Sequence, residues 1–161
     1  MYLFLKHDLE ALKDRLRTVR AQDTLVGEII GESMSQSSET YHDNFDFEQG
    51  KKERLMLGES MMKLKRVLEA AQLYEPPRQI DKVDIGSTVL LEDLDRSESF
   101  TVTVGSFVVD NVFDGSVVSY ASPLGELLLG SAVGDKRELV VGDYRANYRV
   151  GDIRQMPVNV D

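Results

Sequence analysis

Apolar residues in the first half of the chain recur at alternating steps of three and four. Leu5, Leu9, Leu12, Leu16 and Val19 set the register, and Val26 and Ile30 continue it, with Asp23 the one polar intrusion. A second series runs Phe47, Gly50, Arg54, Leu57, Met61, Leu64, Leu68 and Ala71, strongest from Leu57 onward. This spacing predicts two helices, each with a narrow apolar stripe that needs a partner. Between them the Ser-rich stretch from Ser33 to Asn44 interrupts the stripe and reads as a turn. Two helices of similar length joined by a turn form an antiparallel hairpin. At about 27 residues per arm and 1.5 Å per residue, the hairpin is a rod of roughly 40 Å. Half of a four-helix bundle completed by dimerisation meets the same pattern.

The second half changes period. Thr88–Leu91, Ser99–Val104, Ser116–Tyr120, Arg137–Val141 and Tyr144–Val150 are short runs rich in β-branched and aromatic residues, separated by Gly, Asp or Asn. Pro123–Gly130 differs, with Pro at a helix start and Gly at its end. The expectation is five strands and one short helix, so the whole chain is α+β. All four prolines lie at or beyond Pro76, and eight of the 12 glycines do too. The Pro76-Pro77 pair therefore marks a boundary. The predicted layout is a hairpin over 1–75 with its tip near 37–48, a linker at 76–79, and a second domain over 80–161.

Composition narrows the chemistry. The 161 residues include 19 Lys plus Arg, 28 Asp plus Glu and no Cys, for a net charge of −9. Acidity of this size argues against a general phosphate-binding face. The absence of Cys excludes a disulfide framework, a thiolate metal site and a cysteine nucleophile. The opening Met-Tyr-Leu-Phe-Leu is too short for a signal peptide, and no run reaches membrane-spanning length, so a cytoplasmic protein without membrane contact is expected. His7 and His42 lie far apart, with no zinc, phosphate-loop or Gly-x-Ser-x-Gly pattern beside them. His7 reads as a solvated residue of the first helical turn.

One local feature stands out. Glu32, Glu39, Asp43, Asp46 and Glu48 fall in a stretch without Lys or Arg, and Lys51, Lys52 and Arg54 follow at once. Acids before a helix oppose its dipole, and Asp43 or Asn44 in the cap position accounts for part of the cluster. The competing reading is a set of carboxylates that completes a hard-cation site belonging to a partner.

These residues resemble the bacterial Gre transcript-cleavage factors, GreA and GreB. The family's tip motif, Asp-Leu-x-Glu-Asn-Ala-Glu-Tyr, is similar to Asp43-Asn44-Phe45-Asp46-Phe47 over its last five positions, and Lys51 matches a basic position beyond it. Ile85–Val89 resembles the family's Gly-x-x-Val strand start. The stretch from Ser119 to Gly130 resembles its Ser-Pro block, and Val133-Gly134-Asp135 its Val-Gly-Asp. The resemblance implies a coiled-coil hairpin followed by an FKBP-like antiparallel β domain. It implies a monomeric accessory factor, not itself an enzyme, that binds bacterial RNA polymerase at its secondary channel. Ser122, Pro123 and Leu124 are the implied docking residues. Asp43, Asp46 and Glu39 are the implied catalytic acids at the tip, and Asp43 with Glu39 would share Mg²⁺ with the polymerase. Lys51, Lys52 and Arg54 would face nascent RNA within that complex. The family's leading Asp falls on Thr40 and its Tyr on Phe47, while Phe45 replaces a small residue. The resemblance therefore covers two outcomes, cleavage of backtracked RNA or occupation of the channel without cleavage. An FKBP-like domain raises a remote third reading, a peptidyl-prolyl isomerase or chaperone, against which stands the absence of Trp.

Overall fold

The computed structural model describes residues 1–36, 45–108 and 116–155. Along the chain come β1 (Tyr2–Phe4), α1 (Lys6–Gln36), α2 (Phe45–Glu69), β2 (Ala71–Leu73), β3 (Ser87–Asp93), β4 (Glu98–Gly105), β5 (Val117–Ser119), α3 (Pro123–Leu128), β6 (Lys136–Val141) and β7 (Tyr144–Gln155). The architecture is α+β. Two compact units divide it: Leu9–Ala71, and Met1–Asp8 together with Gln72–Asp161.

In the helical unit the stripe is buried where the spacing places it. Leu12, Leu16, Val19 and Val26 are buried on α1. Gly50 is buried on α2, and Phe47, Leu57, Met61, Leu64 and Leu68 are half-buried. A Cβ on Gly50 would stand 2.8 Å from Ile30 Cγ1, so the bare glycine lets the helices approach closely there. Further along, Arg54 Nε donates to Asp23 Oδ1 at 3.2 Å. Rising numbers on α2 match falling numbers on α1, so the helices are antiparallel. Met56 and Met62 are exposed, which leaves Met61 alone of these three on the stripe.

The β unit is a five-stranded sheet in the order β5-β4-β3-β7-β6. Alternation puts Val89 and Leu91 of β3, Val102 and Val104 of β4, and Ala146, Tyr148 and Val150 of β7 on one buried face. Leu128 of α3 joins that core, with Leu124 and Leu127 packed against it. The expected wholly antiparallel sheet is corrected at one edge. β5 runs parallel to β4, from Thr103 opposite Val117 to Gly105 opposite Ser119. A tight turn cannot join parallel neighbours, and the segment 106–116 makes the connection. Gly142, at φ 57°, opens the two-residue turn between β6 and β7, a position suited to glycine. Where Leu90 faces Asp152 and Leu91 faces Val150, Gly151 is the extra residue of a bulge.

Two short strands escaped the sequence pattern. β1 and β2 pair with each other in a separate small sheet. The first eight residues stand with the β unit rather than with the helices that follow. Phe4 is fully buried. Leu3 N donates to the Tyr120 hydroxyl at 3.1 Å, and Leu5 N donates to Ser106 Oγ at 2.8 Å. Ser106 in turn donates to Asp8 Oδ2. The Tyr2 ring stacks on Phe107 with centroids 3.8 Å apart. The unit boundary after Ala71 precedes the Pro76-Pro77 break because β2 already belongs to the sheet pairing.

Gly125 is the most tightly enclosed position in α3. A Cβ there would lie 2.0 Å from Ser119 O and 2.8 Å from Tyr120 Cα, both backbone atoms. Gly125→Ala is expected to destabilise the chain by about 3 kcal/mol or more, read as a lowered urea midpoint.

Two phenols titrate late. Tyr148 is pushed up to about 12, first by burial and then by its hydrogen bond to Tyr144 and the nearby charges of Tyr144 and Asp93. Tyr74 is also pushed up to about 12, by burial and by its bond to Asp84. An acid whose folded pKa exceeds its ordinary 10.0 keeps its proton in the fold after the unfolded chain has lost it. The stability from these groups is thus full below pH 10 and is lost as pH rises toward 12. Phenolate absorbance should show a late component that shrinks in Tyr74→Phe and again in Tyr148→Phe.

Candidate functional site

Glu39 and Asp43 lie outside the described residues, as does Thr40. Asp46 falls in the first turn of α2, which opens at Phe45. The acid-rich stretch therefore occupies the connection between the two long helices and the start of the second. Among the described residues no group of three His, Cys, Asp or Glu is arranged to hold a metal ion. The carboxylates of the tip are the donor type that a hard cation takes, but two of them cannot complete its shell.

The three cations that follow have different surroundings. Lys51 lies over the Phe47 ring, 4.1 Å from its centroid, and its Nζ is 3.5 Å from Glu48 Oε1. It is held along its own helix, half-exposed. Lys52 is exposed. Arg54 instead reaches across to Asp23, the one polar residue of the α1 stripe. Its guanidinium lies over Gly27, where a Cβ would touch Cζ at 3.5 Å. The resemblance implies that Arg54 faces RNA; in the fold its guanidinium has an interhelical partner. Its place in the α2 stripe, opposite a lone acid in the other stripe, was the signal that points to this.

Ser122, Pro123 and Leu124 form the start of α3. Ser122 caps the helix, accepting from Gly125 N at 3.1 Å while its hydroxyl donates to Ser119 O at 2.7 Å. Pro123 follows the cap, where its missing N–H costs nothing, and it is exposed. Leu124 turns inward onto the core. The three are therefore one built corner with Pro123 outermost.

Elsewhere in the β unit, four arginines are matched by acids. Arg137 faces Asp135 at 3.0 Å, Arg145 faces Glu138 at 3.3 Å and Arg154 faces Asp152 at 2.7 Å, and Arg149 pairs with Glu92. Such pairing leaves no basic stripe among these residues for nucleic acid. The aromatics fall into two groups. Tyr2, Phe107 and Tyr120 enclose the N-terminal segment. Phe100 stands edge-on to Tyr148 at 5.9 Å, and the Tyr148 hydroxyl meets that of Tyr144 at 3.3 Å. Phe113 lies outside the described residues. No helix among the described residues is long and apolar enough to cross a membrane.

Comparison with known proteins follows the same outline. Residues 77–155 match the family model "Transcription elongation factor, GreA/GreB, C-term". The transcription elongation factor GreA of Chloroherpeton thalassium is 34% identical over 154 residues, covering 95% of this chain and 92% of that one. GreA of Clostridioides difficile is 27% identical over 148 residues, covering 91% and 90%. A solved structure of the GreA factor homolog 1 protein of Thermus thermophilus is 30% identical, covering 94% of this chain and 97% of that one. The TM-score between the two is 0.43. Near-full-length identity to GreA, together with the helical pair and the matched second domain, assigns the chain to the GreA/GreB family of transcription elongation factors.

Proposed function

We propose that this protein binds bacterial RNA polymerase at the secondary channel and brings its hairpin tip to the active site, where it promotes Mg²⁺-dependent cleavage of backtracked RNA. The observation that carries the reading is a carboxylate-rich connection between two long antiparallel helices in a chain related to GreA. The 31 residues of α1 extend about 46 Å and the 25 of α2 about 38 Å. A narrow rod of that length reaches a site closed to a globular surface.

Asp43 and Glu39 are the residues that would hold Mg²⁺, the polymerase supplying its other ligands, and Asp46 stands beside them in sequence. The cation, when bound, stabilises charge on the attacking and leaving oxygens of phosphodiester hydrolysis. This chain's part is to add carboxylate oxygens and orient water. Lys51 and Lys52 offset repulsion between the acidic tip and RNA. The protein acts as a cytoplasmic monomer, and the polymerase remains the enzyme. Thr40, standing at the family's leading acid position, favours a second reading in which the tip occupies the channel without cleavage.

Incubating a backtracked polymerase complex with the protein and Mg²⁺ tests the reading directly. Shortened transcripts are expected, lost in Asp43→Ala. Tight polymerase binding without shortening would establish the non-cleaving reading instead. Pro123→Glu leaves the Ser122 cap in place and puts an acid at the exposed first position of α3, where the helix dipole favours it, so it keeps the fold while adding charge to the corner. It is expected to weaken polymerase binding about tenfold or more, measured as the concentration giving half-maximal effect, with the urea midpoint unchanged.

A further inference from the structure

We propose that Asp23 and Arg54 are positioning residues that hold the distal ends of the two helices together and so keep the tip acids in one arrangement; the proposal rests on the reading of the tip given above. Each residue is the polar member of an otherwise apolar stripe, and the fold sets them against each other. The Asp23 side chain is 24% exposed and that of Arg54 52%, so the acid is the more enclosed partner. Asp14 with Arg17 and Glu48 with Lys51, by contrast, are ion pairs between residues of one helix. Asp23 with Arg54 crosses between the two. The attraction between Asp23 and Arg54 exists only when the helices are closed, so the pair favours the closed arrangement over a splayed one, modestly because Arg54 is half-exposed.

The position on the helices gives the pair its leverage. Beyond Asp23, α1 runs on to Gln36, about 20 Å further. In that stretch Val26 and Ile30 stand against Gly50 across the seam. Leu25, Ile29, Leu55 and Met56 are exposed and do not close it. The ion pair thus lies just proximal to the close approach of Ile30 to Gly50, on the side away from the tip.

The chain has no Cys, so introduced cysteines are unique attachment points for spin labels. Labels at Glu28→Cys and Gln49→Cys, both exposed, report the distal seam. Labels at Lys13→Cys and Lys65→Cys, also exposed, report the proximal seam. The distal distance distribution should be narrow in the parent chain, broad in Arg54→Ala and narrow again in Arg54→Lys. The proximal distribution should stay narrow throughout. If only a fraction of molecules holds the competent arrangement, the factor concentration for half-maximal transcript shortening rises by the inverse of that fraction while the maximal rate is kept. A distal distribution that Arg54→Ala leaves unchanged overturns the proposal. So does a fall in maximal rate without broadening, which would return Arg54 to direct contact with RNA. Should the parent chain give no shortening at all, the reading of the tip fails, and the two distance distributions still decide whether the pair holds the helices.

Discussion

The amide of Leu5 donates to the hydroxyl of Ser106, 101 positions along the chain, and that hydroxyl donates to the carboxylate of Asp8. Ser106 is fully buried, and one hydroxyl group satisfies a backbone donor and a side-chain acceptor at once. This exchange sets the origin of α1, because the helix starts at Lys6, between the two residues that Ser106 holds. The return end is set by β2, whose pairing with β1 brings the chain back beside its start after α2.

Along the helices the physics is different. A narrow apolar stripe gives attraction without much discrimination, since one leucine resembles another. Discrimination enters at the exceptions. Gly50 admits Ile30, and Arg54 meets Asp23 over Gly27. In the β unit the corresponding role falls to backbone details: the glycine at the β6–β7 turn, the bulge at Gly151 and the enclosed Gly125.

Much of this was legible in the residues. The stripes named from spacing are buried or half-buried in the fold, and the five strand-like runs each lie on a strand. The capped helix at Pro123 was readable because proline, serine and glycine each have a local conformational meaning. What was not legible depended on distance. Tyr2–Phe4 and Ala71–Leu73 are too short to show a period, and each becomes a strand because the other lies beside it. The parallel pairing of β5 depends on the path between strands, which composition does not reveal. The contact of Arg54 with Asp23 joins residues 31 positions apart, a relation that adjacency in sequence does not show. The tip acids were recognised by type and spacing, and membership of the GreA/GreB family gives that cluster its significance.

The anchoring of the first residues has a consequence for the growing chain. Met1–Asp8 belong to the β unit, but Ser106, Phe107 and Tyr120, which enclose them, are made much later. Leu3 and its partner Tyr120 are 117 positions apart. At about 5–20 residues per second, β1 waits roughly 6–23 s after its synthesis for Tyr120. During that interval the helices can pair, since all of their seam lies before Gln72. The order of synthesis thus favours a hairpin that closes first and a β unit that completes itself by taking back residues made before the hairpin.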